Sequence, residues 1–132
     1  MTNQAVVIHP DLTKAAEVIE WEDGRLLDLL YSTIGCDCID KGPVLETGIG
    51  QMVFWVDDVG LVSSTEPEYN DYAIALARAC GWPVGALAGI VVVTGGHDCV
   101  GHTLGLSDPL VDQITQSVER ARALQVVRPE GE

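Results

Sequence analysis

The run Gly89-Ile-Val-Val-Val-Thr94 constrains this chain more than any other feature. A short, continuous, β-branched apolar run bounded by glycines reads as a buried strand. It is far too short to cross a bilayer. Other strand signals surround it. Ala5-Val-Val-Ile8 is a β-type run stopped by His9-Pro10. In Ala16 to Trp21, alternation places Glu17, Ile19 and Trp21 on one side and favours a strand returning against the first. The same stretch carries Ala15, Val18, Ile19 and Glu22 at spacings that also suit a helical turn. Cys36 to Asp40 reads as a short strand. Lys41-Gly-Pro43 and Gly48-Ile-Gly50 punctuate a loop before a strand over Gln51 to Val56. Asp57-Asp-Val-Gly60 turns the chain, and Leu61-Val62 is placed to pair back.

Three helices are expected. Asp23 can cap a helix from about Gly24 to Ile34, with Leu27, Leu30, Tyr31 and Ile34 at i, i+3, i+4 and i+7 and Gly35 ending it. The clearest helix begins after Asn70, a good N-cap. Tyr69 and Ile74 occupy staple positions, and Gly81 with Pro83 ends it. Tyr69, Ala73, Leu76, Ala77 and Cys80 form its apolar stripe. The third helix is capped by Ser107 or Asp108 and has Pro109 in its first turn. Leu110, Ile114, Val118, Ala121 and Gln125 line one side, and Arg120 and Arg122 lie near its negative end. The glycine-rich stretch up to Gly105 is expected to be a turn with a short return strand.

Strands and helices do not alternate as βαβ units, and short turns join several strands. The fold class is therefore α+β: a mostly antiparallel sheet with about three helices packed largely on one face. The 132 residues suit one acidic domain over 1–132, and an apolar content of 47% supplies a core.

Charge is the most unusual bulk property. Twenty acids and seven bases leave −13, and residues 1–75 carry only three of the bases. Such a field repels nucleic acid and anionic membrane, and it favours a basic protein surface as partner or serves solubility alone. MTNQAVVIHP lacks the basic start and apolar stretch of a signal peptide, so a cytoplasmic location is expected. Cys36, Cys38, Cys80 and Cys99 are then free thiols and pack as small hydrophobes.

No catalytic motif is complete. Cys36-Asp-Cys38 and His97-Asp-Cys-Val-Gly-His102 offer Cys36, Cys38, His97, Cys99 and His102 as zinc ligands, more than the four a closed site needs. Their spacing matches no common zinc framework, and buried thiols beside solvated histidines explain the same residues. Val93-Thr-Gly-Gly96 resembles the start of a phosphate loop, but no helix or Gly-Lys-Ser/Thr follows. Asp57 and Asp58 are candidate partner-binding carboxylates, and the Asp-Gly content of their segment equally suits a solvated turn. No serine has an informatively placed histidine. Two of Trp21, Trp55 and Trp82 are expected in the core, and any exposed one is a candidate ligand platform.

The order of blocks resembles a known family: Ala5 to Pro10, Ile34-Gly-Cys-Asp37, Trp55 to Leu61, Asn70 followed by Ala73, Gly89 to Gly95, and Thr103-Leu-Gly-Leu-Ser-Asp108. It is the bacterial and phage family catalogued as domain of unknown function number three thousand eight hundred and forty-six. The resemblance spans nearly the whole chain. It implies a cytoplasmic protein of phage or mobile-element type and brings no activity, cofactor or catalytic residue. In that family an acid tends to stand where Val59 does, and an aliphatic residue where Cys38 does. Other polar residues stand in place of His97, Cys99 and His102, so a zinc site would be private to this chain.

Three functions follow as expectations. The first is a non-enzymatic module that binds a protein partner through an acidic surface, with anti-defence or DNA mimicry as its sharpest form. The second is a binder of a nucleotide or metabolite near the 94–105 loop. The third is a zinc-dependent enzyme on the cysteine and histidine clusters. Because the sequence supplies no basic patch to neutralise phosphates, the protein is expected to leave DNA and RNA unshifted in a gel assay at physiological salt. Retention of either would overturn the charge argument.

Overall fold

The computed structural model describes residues 2–11, 13–22, 24–35, 39–57 and 69–127. In chain order it contains strands β1 (Thr2–Ile8) and β2 (Glu17–Glu22), helix α1 (Leu26–Ile34), and strands β3 (Ile39–Lys41), β4 (Leu45–Thr47) and β5 (Gly50–Asp57). Helix α2 (Asp71–Ala79), strand β6 (Val91–Thr94) and helix α3 (Asp108–Val127) follow. The six strands form one sheet in the order β2-β1-β6-β5-β3, with β4 also against β5, and every pair is antiparallel. The α+β class read from the sequence is the fold observed.

Side-chain alternation splits the core in two. On one face Val6, Ile8, Phe54, Val91 and Val93 lie under α2 and α3, which contribute Tyr72, Ala73, Leu76, Leu110 and Ile114. On the other, Ala5, Val7, Trp21 and Val92 lie under Leu30 and Ile34 of α1. Two of the three helices share a face, and α1 covers the other alone.

Several local expectations are corrected. Helix α1 starts at Leu26, after Gly24 turns the chain with a φ of 85°, and its N-cap residue Arg25 makes no side-chain cap bond. Leu30 and Ile34 are buried as expected, but Leu27 and Tyr31 face outward, 60% and 43% exposed. Half-buried Leu26 and Leu29 take their place against the core. The helix is apolar on so much of its circumference that periodicity alone does not choose its buried side. The loop expected over 41–50 contains a strand, β4. Thr47 opposes Gly50 across a two-residue turn, and the Thr47 hydroxyl donates to the Gly50 carbonyl. Between β3 and β4, residues 42–44 oppose only Val53 and Phe54, because Lys41 pairs with Trp55 and Leu45 with Met52. One extra residue on this strand makes a bulge, and Pro43, with no N–H, fits it. The Asp23 cap, Cys36 to Cys38 and the return of Leu61-Val62 lie outside the described residues.

Asn70 does more than cap. Its side-chain oxygen accepts from the Ala73 N–H at 3.1 Å, as the sequence suggested. Its amide nitrogen also donates to the carbonyls of Ile8 (2.8 Å) and Gly89 (2.9 Å), with the side chain fully buried. One residue thus ties α2 to the ends of two central strands. Tyr69, expected in the apolar stripe, is instead 51% exposed and pairs by its backbone with Ala88. Asn70→Ala removes a cap and strands two carbonyl acceptors, so a cost of about 3 kcal/mol is expected in chemical denaturation. A loss no larger than an ordinary cap would show that water replaces the amide.

Candidate functional site

Strand β6 continues into a tight hairpin. The Gly95 N–H donates to the Leu104 carbonyl (2.9 Å) and the Leu104 N–H to that of Gly96 (2.8 Å), while His97 pairs with Thr103. The expected return strand is reduced to that single bridge, and the returning segment lies against β1, where the Leu106 N–H donates to the Gln4 carbonyl at 2.8 Å. This crossing requires glycine. A Cβ on Gly95 would stand 2.5 Å from the Gly105 oxygen, and one on Gly105 would stand 2.7 Å from the Gln4 nitrogen. The Thr-Gly-Gly segment is therefore a turn entry. At the tip, one Asp98 carboxylate oxygen accepts from the N–H groups of His102 (2.9 Å) and Val100 (3.0 Å). The bond from the His102 N–H chiefly holds this carboxyl below the usual aspartate range. Its contribution to the tip is present at neutral pH and is lost as pH falls through that lowered value.

The hairpin brings His97 to Lys41 at the end of β3. Lys41 Nζ lies 2.9 Å from His97 Nε2, and His97 Nδ1 lies 3.3 Å from the Thr103 hydroxyl. The ammonium also stands 5.9 Å from the centre of the Trp55 ring. Trp55 Nε1 donates to the Thr94 hydroxyl at 2.8 Å, and that hydroxyl donates to the Gly95 carbonyl at 3.0 Å. Lys41 and His97 are 56 residues apart, and nothing in the local pattern of either pointed to the contact.

The proposed metal ligands fare differently. Among the described residues no three His, Cys, Asp or Glu groups are arranged to hold a metal ion. His97 Nε2 is engaged by Lys41, the His102 side chain is 80% exposed, and Cys99 is exposed at the hairpin tip. Cys36 and Cys38 lie outside the described residues. Burial pushes the Cys80 thiol up, and it packs 3.8 Å from the Met52 sulfur, so it is held as a thiol and not as a nucleophilic thiolate.

Acids line two of the surface depressions. Asp57, at the end of β5, lines a cleft of about 300 Å³ with Asp40, Val56 and Trp82. Trp82 meets Phe54 edge to face there, with centroids 5.8 Å apart. Asp58 lies outside the described residues. At the opposite side of the sheet, Asn3, Gln4, Glu20 and Asp108 line an open polar trough between β2 and the start of α3. Gln4 spans it, its amide nitrogen donating to the Asp108 carboxylate (2.6 Å) and to the Leu106 carbonyl (3.1 Å). Glu22 follows Glu20 on the same face of β2, and both are exposed. No helix among the described residues is long and apolar enough to cross a membrane.

Residues 1–119 match the family model described as Domain of unknown function (DUF3846). The match takes in every block from Ala5 to Asp108 and leaves Arg120, Arg122 and the residues after them outside. Its description names no phage, partner or activity. No curated protein and no solved structure matches the chain.

Since His97, Cys99 and His102 do not converge, purified protein is expected to carry well under one zinc per chain by elemental analysis. One zinc per chain, lost in both Cys36→Ser and His97→Ala, would instead place a metal centre between β3 and the hairpin.

Proposed function

The chain belongs to the family described as Domain of unknown function (DUF3846), and we propose that it is an interaction module that takes an extended basic segment of a protein partner along the acidic edge of its sheet. The observation that carries this reading is β2. Among the described strands it lies at the sheet edge, with β1 on one side only. Its Glu20 and Glu22 are exposed, and Val18 on the same face is 48% exposed. The ion pairs among the described residues are His9–Glu17, Asp98–His102 and Glu119–Arg122, so neither Glu20 nor Glu22 has a basic partner there.

An edge strand offers a row of backbone donors and acceptors, and an added strand gains affinity from them and specificity from alternate side chains. Residues two apart on a strand stand about 6.7 Å from one another. A partner strand with Lys or Arg at alternate positions therefore matches Glu20 and Glu22, with an apolar residue against Val18. Asp108 and the Gln4 amide extend the polar surface toward α3. Basic segments of nucleic-acid-binding proteins have this chemistry, which is how an anti-defence or mimic role would act. Asp57 is not part of this surface, since β5 lies three strand spacings from β2, about 14 Å.

Acids on an edge strand also serve to repel unwanted pairing, and one titration separates the two roles. A synthetic peptide alternating lysine and valine is expected to shift the backbone amides of β2 saturably in NMR spectra. The effect should weaken as salt rises, because exposed charges are screened within about 8 Å at physiological strength. Glu20→Lys with Glu22→Lys should abolish it without unfolding the domain. Unchanged β2 amides at low salt, or equal shifts in the double variant, would reduce the acids to guards of the edge.

A further inference from the structure

The trough between β2 and the start of α3 is a depression of about 530 Å³, and its lining includes Gln4, Glu20, Leu104 and Asp108. Gln4 and Glu20 stand directly opposite one another across the β1–β2 pair. Gln4 has two N–H donors and could offer one to that carboxylate. Both go elsewhere, to the Asp108 carboxylate at 2.6 Å and the Leu106 carbonyl at 3.1 Å. Each of those partners only accepts, which settles the orientation of the amide and leaves its oxygen without a donor among the described residues. The trough is thus offered the Gln4 side-chain oxygen, the Glu20 carboxylate and the second Asp108 oxygen. No Lys, Arg or His lines it, and no ion pair among the described residues uses Glu20 or Asp108. The first-turn N–H groups of α3 would oppose a cation here. Asp108 offsets them, and Pro109 removes one.

We propose, resting on the strand-addition reading above, that this trough is the specificity pocket of the β2 edge and takes the guanidinium of an arginine from the partner segment. A ligand that completes a set of acceptors donates only, and positive charge offsets the two carboxylates. Lysine and arginine both meet those terms, and geometry separates them. The acceptors arrive from β1, β2 and α3. A guanidinium spreads five N–H donors around a planar fork, whereas an ammonium gathers three on one atom and is more strongly hydrated. Arginine also lays its methylenes along apolar surface, and Leu104, 45% exposed, gives the trough such a wall. An added strand runs about 4.8 Å beyond β2, so a long side chain opposite Glu20 crosses β2 to arrive over Gln4. A second copy of this chain does not fit as the partner. Antiparallel pairing of β2 with itself in full register would set Glu17 opposite Glu22.

The test compares two peptides of equal length and charge, one alternating lysine with valine and the other arginine with valine. Each is titrated into the full chain and followed by NMR at the β2 backbone amides and the Gln4 side-chain NH2 signals. The arginine peptide is expected to bind about fivefold more tightly or better, the gain of one or two further hydrogen bonds. It should also move the Gln4 NH2 signals, which the lysine peptide leaves nearly in place. Asp108→Asn keeps an oxygen for Gln4 and removes the charge. It should bring the arginine peptide down to the affinity of the lysine peptide and change the latter little. Equal affinities in the unaltered chain, or an arginine advantage that survives Asp108→Asn, would overturn the arginine pocket while shifted β2 amides left strand addition standing. If neither peptide shifts β2, strand addition fails by itself, and N-acetylarginine amide decides the trough. Saturable shifts of the Gln4 NH2 signals, absent with N-acetyllysine amide, would uphold the guanidinium site, and no such shifts would overturn it.

Discussion

Strand β6 is the constraint on which the rest of the molecule depends. All four of its residues are fully buried, because helices cover both faces of the sheet and β1 and β5 flank both edges. A register slip of one residue would exchange Val91 and Val93, under α2 and α3, with Val92 and Thr94 on the α1 side. Thr94 fits only one of these environments, since its hydroxyl is needed between the Trp55 indole and the Gly95 carbonyl. One polar atom in a buried strand thus helps fix which valines face which layer.

The same economy governs the ends of that strand. Its entry is held by Asn70, which joins the Gly89 and Ile8 carbonyls to the start of α2. Its exit needs Gly95 and Gly105, because two backbones pass closer there than a Cβ permits. The hairpin that carries His97 is consequently aimed by backbone contacts and not by packing of its own side chains. It leaves β6 rigidly, which is what allows a residue late in the chain to meet Lys41 on β3.

Legibility in the sequence followed locality. Helix α2 was readable because Asn70, its Ala and Leu stripe and Gly81 are all signals within one helix, and β6 because its run is unbroken. The face of α1 was not, since its apolar residues exceed one stripe and only the position of Trp21 and Val92 beneath it selects Leu30 and Ile34. Strand β4 hid behind glycine and proline that punctuate a bulge as readily as a loop. The cysteine and histidine clusters drew attention by residue type, but an alternating strand and a tight turn aim such groups differently. The contact between Lys41 and His97 joins single residues from two distant segments. No spacing rule reports such a pair; it follows from β3 and the hairpin after β6 both flanking β5.

The charge imbalance gives the few bases a particular value. In a chain so rich in carboxylates a cation is stabilised nearly anywhere by the general field, so its position is free to be set by other needs. Arg78 spends its guanidinium on the carbonyls of Val84 and Gly85, fastening the turn beyond α2. Arg122 binds Glu119 on its own helix and the Thr13 carbonyl, joining α3 to the β1–β2 connection. Both bind backbone oxygens of a second segment and act as staples. Lys41 bridges two segments as well, its ammonium ending on the His97 ring and so fastening β3 to the hairpin after β6.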